Sequence, residues 1–143
     1  MIQRVYIDTN IFDYVALRHE VYGEACKEIL DDIGGLLDAS CSFLVPIELL
    51  GSLSEINLEI AFKALTAFFA FKLNLIDMNA DVLIGASRIM AKTKINGYDA
   101  VHASSMTREG IKTIITENYK DFRKIPKIEI IRPLDYKRWK QGF

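Results

Sequence analysis

The chain has 143 residues, enough for one domain with a substantial core and too few for two comfortable ones. Half the residues are hydrophobic and 26 % are charged, which excludes a disordered chain. Lys and Arg total 18 against 19 Asp and Glu, a net charge of −1, which excludes a polycation that holds nucleic acid by bulk charge alone.

Five short apolar runs read as buried strands: Arg4–Ile7, Ser42–Val45, Leu73–Ile76, Thr113–Thr116 and Ile128–Ile131. Asp8 stands where it can cap a helix that follows the first strand. Glu20–Leu37 carries Val21, Ala25, Ile29 and Ile33 at helical spacing, with Gly34-Gly35 as its fraying end. Pro46 fits the first turn of a helix running towards Ile56. Asn57 can cap a helix through Phe71, and Asn79 another through Lys92. A helix over Tyr98–Glu109 stops at Gly110, and a short amphipathic segment, Leu134–Lys140, follows the last strand. Strands alternating with helices predict one α/β domain over residues 1–143, with a largely parallel sheet covered on both faces.

No signal peptide is expected, because Asp8 interrupts the first apolar run. In the most hydrophobic stretch, Ala61–Ile76, the longest charge-free piece is Ala64–Phe71. That falls far short of the ~20 residues a membrane span needs. The two cysteines, Cys26 and Cys41, match no metal-ligand spacing and no disulfide framework. The expectation is a soluble, reduced, cytoplasmic protein.

In parallel sheets, ligands bind beyond the carboxyl ends of the strands. Asp8-Thr9-Asn10 follows the first predicted strand, Pro46-Ile47-Glu48 the second, and Thr116-Glu117-Asn118 ends the fourth, with Asp121 three residues on. Asp99 opens the helix that leads into the fourth strand. Carboxylates gathered at one edge raise one another's pKa, and a divalent cation removes the conflict. Oxygen ligands without a His/Cys cage favour Mg²⁺ or Mn²⁺ over Zn²⁺, and such an ion suits hydrolysis of a phosphodiester.

At these residues the sequence resembles the PIN-domain ribonucleases. Tyr6-Ile7-Asp8-Thr9-Asn10, Glu48 within Pro-Ile-Glu-Leu-Leu, Tyr98-Asp99-Ala100-Val101-His102-Ala103, and Ile115–Phe122 look like the family's four motifs in order. The length and the span of the match point to the VapC-like toxins. The resemblance implies a three-layer α/β/α sandwich with a five-stranded, mainly parallel sheet. It also implies Mg²⁺- or Mn²⁺-dependent RNA cleavage by the toxin of a type II toxin–antitoxin pair. It carries over Asp8, Glu48, Asp99 and Asn118 as catalytic positions, Asp8, Glu48, Asp99 and Asp121 as metal ligands, and Asn10 and Thr116 as supports. Its partners would be an RNA substrate, a small cognate antitoxin and a second copy of the chain. The family often has Asp where Asn118 stands, so a second metal is expected to be held weakly unless Asp121 compensates. That departure keeps open the alternative of a catalytically weak or inactive PIN-like module that binds RNA or protein.

Other residues read more plainly. His102 lies one turn beyond Asp99 and is expected to hydrogen-bond a neighbouring loop rather than act as a base. His19 and Asp13 read as surface residues, and Phe62, Phe68, Phe69 and Phe71 mostly as core. From residue 120 onward, eight basic residues face three acidic ones, an asymmetry that fits an RNA-facing rim.

Overall fold

Val5, Tyr6 and Ile7 have no exposed surface, and only a strand inside a sheet covered on both faces hides three consecutive side chains. The computed structural model describes residues 1–143 and makes this strand, β1 (Gln3–Ile7), the middle of a five-stranded parallel sheet in the order β3-β2-β1-β4-β5. The other strands are β2 (Leu37–Ser42), β3 (Asn74–Ile76), β4 (Thr113–Ile115) and β5 (Glu129–Ile131). Eight helices connect them: α1 (Thr9–Ala16), α2 (Gly23–Asp31), α3 (Leu44–Ser54), α4 (Leu58–Ala70), α5 (Ala80–Thr93), α6 (Gly97–Arg108), α7 (Tyr119–Phe122) and α8 (Tyr136–Lys140). No helix is long and apolar enough to cross a membrane.

The alternation of side chains along β1 splits the core in two. Val5 and Ile7 pack with Ile11, Ile29, Leu49 and Phe68, while Tyr6 points the other way, among Ala103, Met106, Ile114 and Phe122. The caps expected from sequence are present: Asn57 accepts the Ile60 N–H at 3.0 Å and Asn79 the Val82 N–H at 3.0 Å. Gly110, at φ +73°, ends the α6 segment in the left-handed conformation that glycine adopts freely. Of the phenylalanine run, Phe68 is core and Phe71 half-buried, but Phe62 and Phe69 are exposed.

One stretch departs from expectation. β2 covers Leu37–Ser42, not Ser42–Val45, and α2 stops at Asp31 well short of Leu37. Leu37-Asp38-Ala39-Ser40-Cys41-Ser42 lacks an apolar run, but its pairing with β1 from Gln3↔Leu37 to Tyr6↔Ser40 makes it a strand. Ala39 and Cys41 face one core, and Ser40 and Ser42 are buried on the opposite face. The apolar Leu44 and Val45 are buried as the start of α3, which imitates a strand signal.

Helices α5 and α6 approach closely at Gly85, where a Cβ would lie 2.6 Å from the Ser104 hydroxyl oxygen. That hydroxyl is itself buried and donates to the Val82 carbonyl at 2.8 Å, so it cannot swing away without loss. Gly85→Ala is therefore expected to lower stability by about 1–2 kcal/mol, the overpacking exceeding the ~1 kcal/mol gain in helix propensity. Chemical denaturation checks this, and Ser104→Ala in the same chain should recover most of the loss.

Candidate functional site

Three chain crossings bring the site together at the carboxyl end of the sheet. The sheet order places β4 directly beside β1, so the residues after each strand meet. Asp8, only 5 % exposed, caps α1 by accepting the Thr9 N–H at 2.8 Å. The Thr116 hydroxyl donates to the Asp8 Oδ2 at 2.7 Å. Asn10 donates its amide to the Asp8 Oδ2 at 3.4 Å and to Thr116 at 3.3 Å, and accepts the Glu117 N–H at 3.3 Å. Asn10 and Thr116 thus both donate hydrogen bonds to Asp8.

Glu48, half-buried on α3, accepts the Thr9 hydroxyl at 2.8 Å and lies 2.5 Å from the His102 Nε2. His102 has no exposed surface and runs its Nδ1 to the Tyr6 hydroxyl at 2.6 Å. The Ser42 N–H already donates to the Tyr6 oxygen at 3.2 Å, so in the neutral ring Tyr6 gives its proton to Nδ1 and Nε2 carries the other. The Nε2–H then faces Glu48 as a donor. The structural role expected for His102 is present, but its partners are a site carboxylate and the central strand rather than a neighbouring loop. Asp8 Oδ1, Glu48 and His102 Nε2 lie close enough together for a metal, within 4.8 Å of one another. A ring whose Nε2 donates to Glu48 has no lone pair to offer, however, so the available ligands are carboxylate oxygens.

Asp99 stands in the first turn of α6, between two amides. Asn96 donates to its Oδ2 at 2.7 Å and Asn118 at 3.0 Å. The carbonyl oxygen of Asn118 is turned to the Asp121 N–H at 3.4 Å, so Asn118 meets the cluster through its amide nitrogen. Asp8, Glu48, Asp99 and Asn118 line one open cleft of about 480 Å³. Asp121 does not line it; its carboxylate lies 3.9 Å from the Lys124 ammonium. Asp13, which reads as surface in the sequence, does line it and accepts the Ser52 hydroxyl at 2.8 Å. The signal available for it is the one-turn spacing from Thr9 along α1. A larger cavity, about 590 Å³, lies elsewhere, lined by Arg4, Ser40, Ser105 and Arg108 and by none of these site residues.

The electrostatics match a gathering of like charges. Burial, then the charge of Asp8, pushes the Asp99 carboxyl up to about 6, against the pull of Asn96 and His102. Asp13 is pushed up to about 6 as well, first by burial and then by Glu48 and Asp8. Burial would also raise Glu48, but its hydrogen bonds and the His102 charge outweigh burial and hold it below its usual range. Burial disfavours the His102 imidazolium, but the Glu48 hydrogen bond and the charges of Asp8, Glu48 and Asp99 win and raise its pKa. The donors that remain free are hard oxygens around an excess of negative charge, which fits Mg²⁺ or Mn²⁺.

Because the Asp99 carboxyl titrates higher in the folded chain than its usual 3.8, the fold favours its protonated form. Its ionisation costs folding free energy that is absent below about pH 4 and fully present above about pH 6. Discounted for a half-buried group, that cost is about 1–2 kcal/mol. In metal-free buffer, Asp99→Asn should thus stabilise the protein by about that amount near pH 8 and by almost nothing near pH 4, as read from denaturation curves at both.

A sequence profile of the PIN domain matches residues 5–128. No curated protein sequence matches the chain. Among solved structures, VapBC2 from Rickettsia felis, bound to a promoter DNA fragment, is similar at 22 % identity over 91 % of this chain and 98 % of that one, with a TM-score of 0.73. The DNA-bound VapBC of Salmonella typhimurium aligns at 19 % identity over 93 % and 99 %, with a TM-score of 0.72. VapC20 of Mycobacterium tuberculosis, a toxin that cleaves the sarcin–ricin loop, aligns at 15 % identity over 87 % and 97 %, also with a TM-score of 0.72. These likenesses show a shared fold, and the profile covers the chain from Val5 past α7, which includes every residue lining the acidic cleft: the chain belongs to the PIN domain family.

Proposed function

We propose that the protein is a Mg²⁺- or Mn²⁺-dependent endoribonuclease and the toxin of a type II toxin–antitoxin pair. The observation that carries this reading is the convergence of Asp8, Glu48 and Asp99 on one cleft, each fixed by donors, with one carboxylate oxygen of Glu48 and of Asp99 left free. These three carboxylates would hold the cation. Bound there, it supplies Lewis acidity at a phosphate oxygen and a lower pKa for water. The protein supplies the positioning. Thr9 and Thr116 fix Asp8, Thr9 and His102 fix Glu48, and Asn96 and Asn118 aim Asp99. Asp121, turned towards Lys124, would contribute charge near a second ion rather than a ligand.

The toxin reading rests on the fold shared with VapBC assemblies. The antitoxin would place an Arg or Lys against the carboxylates, where a charge-assisted pair satisfies them. A homodimer is supported by apolar side chains left exposed on α3 (Ile47, Leu50) and α5 (Leu83, Ile84). A monomer by light scattering at tens of micromolar would remove that part. The basic C-terminal stretch contributes less to RNA binding than its composition suggests. Lys124, Arg132, Arg138 and Lys140 each face an acid within 4.0 Å, and Lys140 ties α8 to Asp32 of α2.

Asp8→Asn should reduce Mn²⁺-dependent cleavage of an RNA oligonucleotide by about 100-fold or more while the chain stays folded, and EDTA should abolish wild-type cleavage. Wild-type rates in the variant would show that Asp8 is not a ligand. Asn118→Asp replaces an amide donor 3.0 Å from Asp99 with a like charge. It should therefore destabilise the metal-free protein and tighten Mn²⁺ binding, as read by calorimetry. If the wild-type chain shows no EDTA-sensitive cleavage, the inactive binding module is the better reading.

A further inference from the structure

The chain has six tyrosines, and four of them are engaged in the interior or in local stacks. Tyr6 meets His102, Tyr136 donates to Asp32, and Tyr14 and Tyr22 pack with each other and with His19. The remaining two present their rings to solvent: Tyr98 is 66 % exposed and Tyr119 42 % exposed. Both sit at one place in the fold. Tyr98 precedes Asp99 and Tyr119 follows Asn118, and Asp99 and Asn118 are joined by the 3.0 Å hydrogen bond at the mouth of the acidic cleft. Tyr98 lines that cleft together with Asp8 and Glu48. The Arg132 guanidinium lies 5.1 Å from the centre of the Tyr119 ring and 3.7 Å from Glu117, which anchors a positive charge on that platform. Adjacent Cα atoms are ~3.8 Å apart, so each ring is held within a side chain's length of the site.

Tyr98 is left mostly uncovered, and Arg132 lies against Tyr119 without hiding its ring. An exposed ring beside such a cleft is a surface on which unpaired bases stack. A base inside a duplex keeps its faces against its neighbours and cannot use such a platform. We propose that Tyr98 and Tyr119 are base-stacking platforms for the nucleotides adjoining the scissile phosphate. This rests on the nuclease reading above and adds the residues that hold its substrate.

The test uses the full chain with Mn²⁺ and an unstructured RNA oligonucleotide, free or annealed to its complement. Tyr98→Ala and Tyr119→Ala should each raise KM about tenfold with kcat little changed, and the duplex should be cut at least tenfold more slowly. Tyr98→Phe and Tyr119→Phe keep the ring and should behave as wild type. A second readout does not need cleavage. In an Asp8→Asn background, an RNA carrying 2-aminopurine beside the cut should lose fluorescence on binding, and each Ala variant should restore it. Unchanged KM and quenching in the Ala variants would overturn the proposal, as would Phe variants as impaired as the Ala ones. Equal cleavage of duplex and single strand would overturn it too. If the wild type cuts RNA while the Ala variants match it, the platforms fail and the nuclease reading stands. If the wild type cuts nothing while the tyrosine-dependent quenching appears, the nuclease reading fails and the platforms stand.

Discussion

The Asp8 carboxylate is the constraint around which the rest of the site is arranged. It is a charged group almost out of contact with water, just past the end of the central strand. Such a charge is tolerated only if its lone pairs are met. The chain meets them with the first backbone N–H of α1 and the hydroxyl at the end of β4. The second of these bonds requires β4 to lie beside β1, which the crossover through α5 and α6 achieves. The topology that places the central strand between β2 and β4 is therefore the one that lets this carboxylate be buried and ionised together.

A second line of contacts runs through the sheet. Ser42 holds Tyr6, Tyr6 holds His102, and His102 holds Glu48. The members come from β2, β1, α6 and α3. Because every link is buried or half-buried, each donor must find its acceptor, and the network fixes Glu48 from behind without consuming the oxygens that face the cleft. Asp8 and Glu48 thus resemble each other in principle: both are restrained on their protein side and left open on the solvent side.

Much of this was legible in the sequence because it depends on local chemistry. Asp8 announces itself by following a strand end and Asp99 by opening a helix, whereas Glu48 sits inside α3, beyond a strand expected at Ser42–Val45 that is not there, and Asn57 and Asn79 mark helix starts by the bonds they can make. β2 was not legible, because serines and an aspartate become a strand only through pairing with β1. Thr9, Tyr6 and Asn96 were hidden for a similar reason. Each belongs to the site through a hydrogen bond whose direction depends on packing, and a hydroxyl or amide in a sequence carries no sign of what it will face. Asp13 and Asp121 exchanged places against expectation: the helical phase of α1 turns Asp13 into the cleft, and Lys124 draws Asp121 aside.

The bonds that define the cluster also join distant parts of the chain. Tyr6 and His102 are 96 residues apart, Asp8 and Thr116 are 108 apart, and Glu48 and His102 are 54 apart. Contacts of such separation form late, after the entropy of large loops has been spent, so the cleft assembles only when nearly the whole fold exists. The elements that close it last are slight: β4 has three residues and α7 four. β4 is buried between two strands, but α7 is partly exposed and can open at a fraction of the global unfolding free energy. An excursion confined to α7 would release Asn118 from Asp99 while the sheet stays packed, loosening one corner of the acidic cluster in an otherwise native molecule.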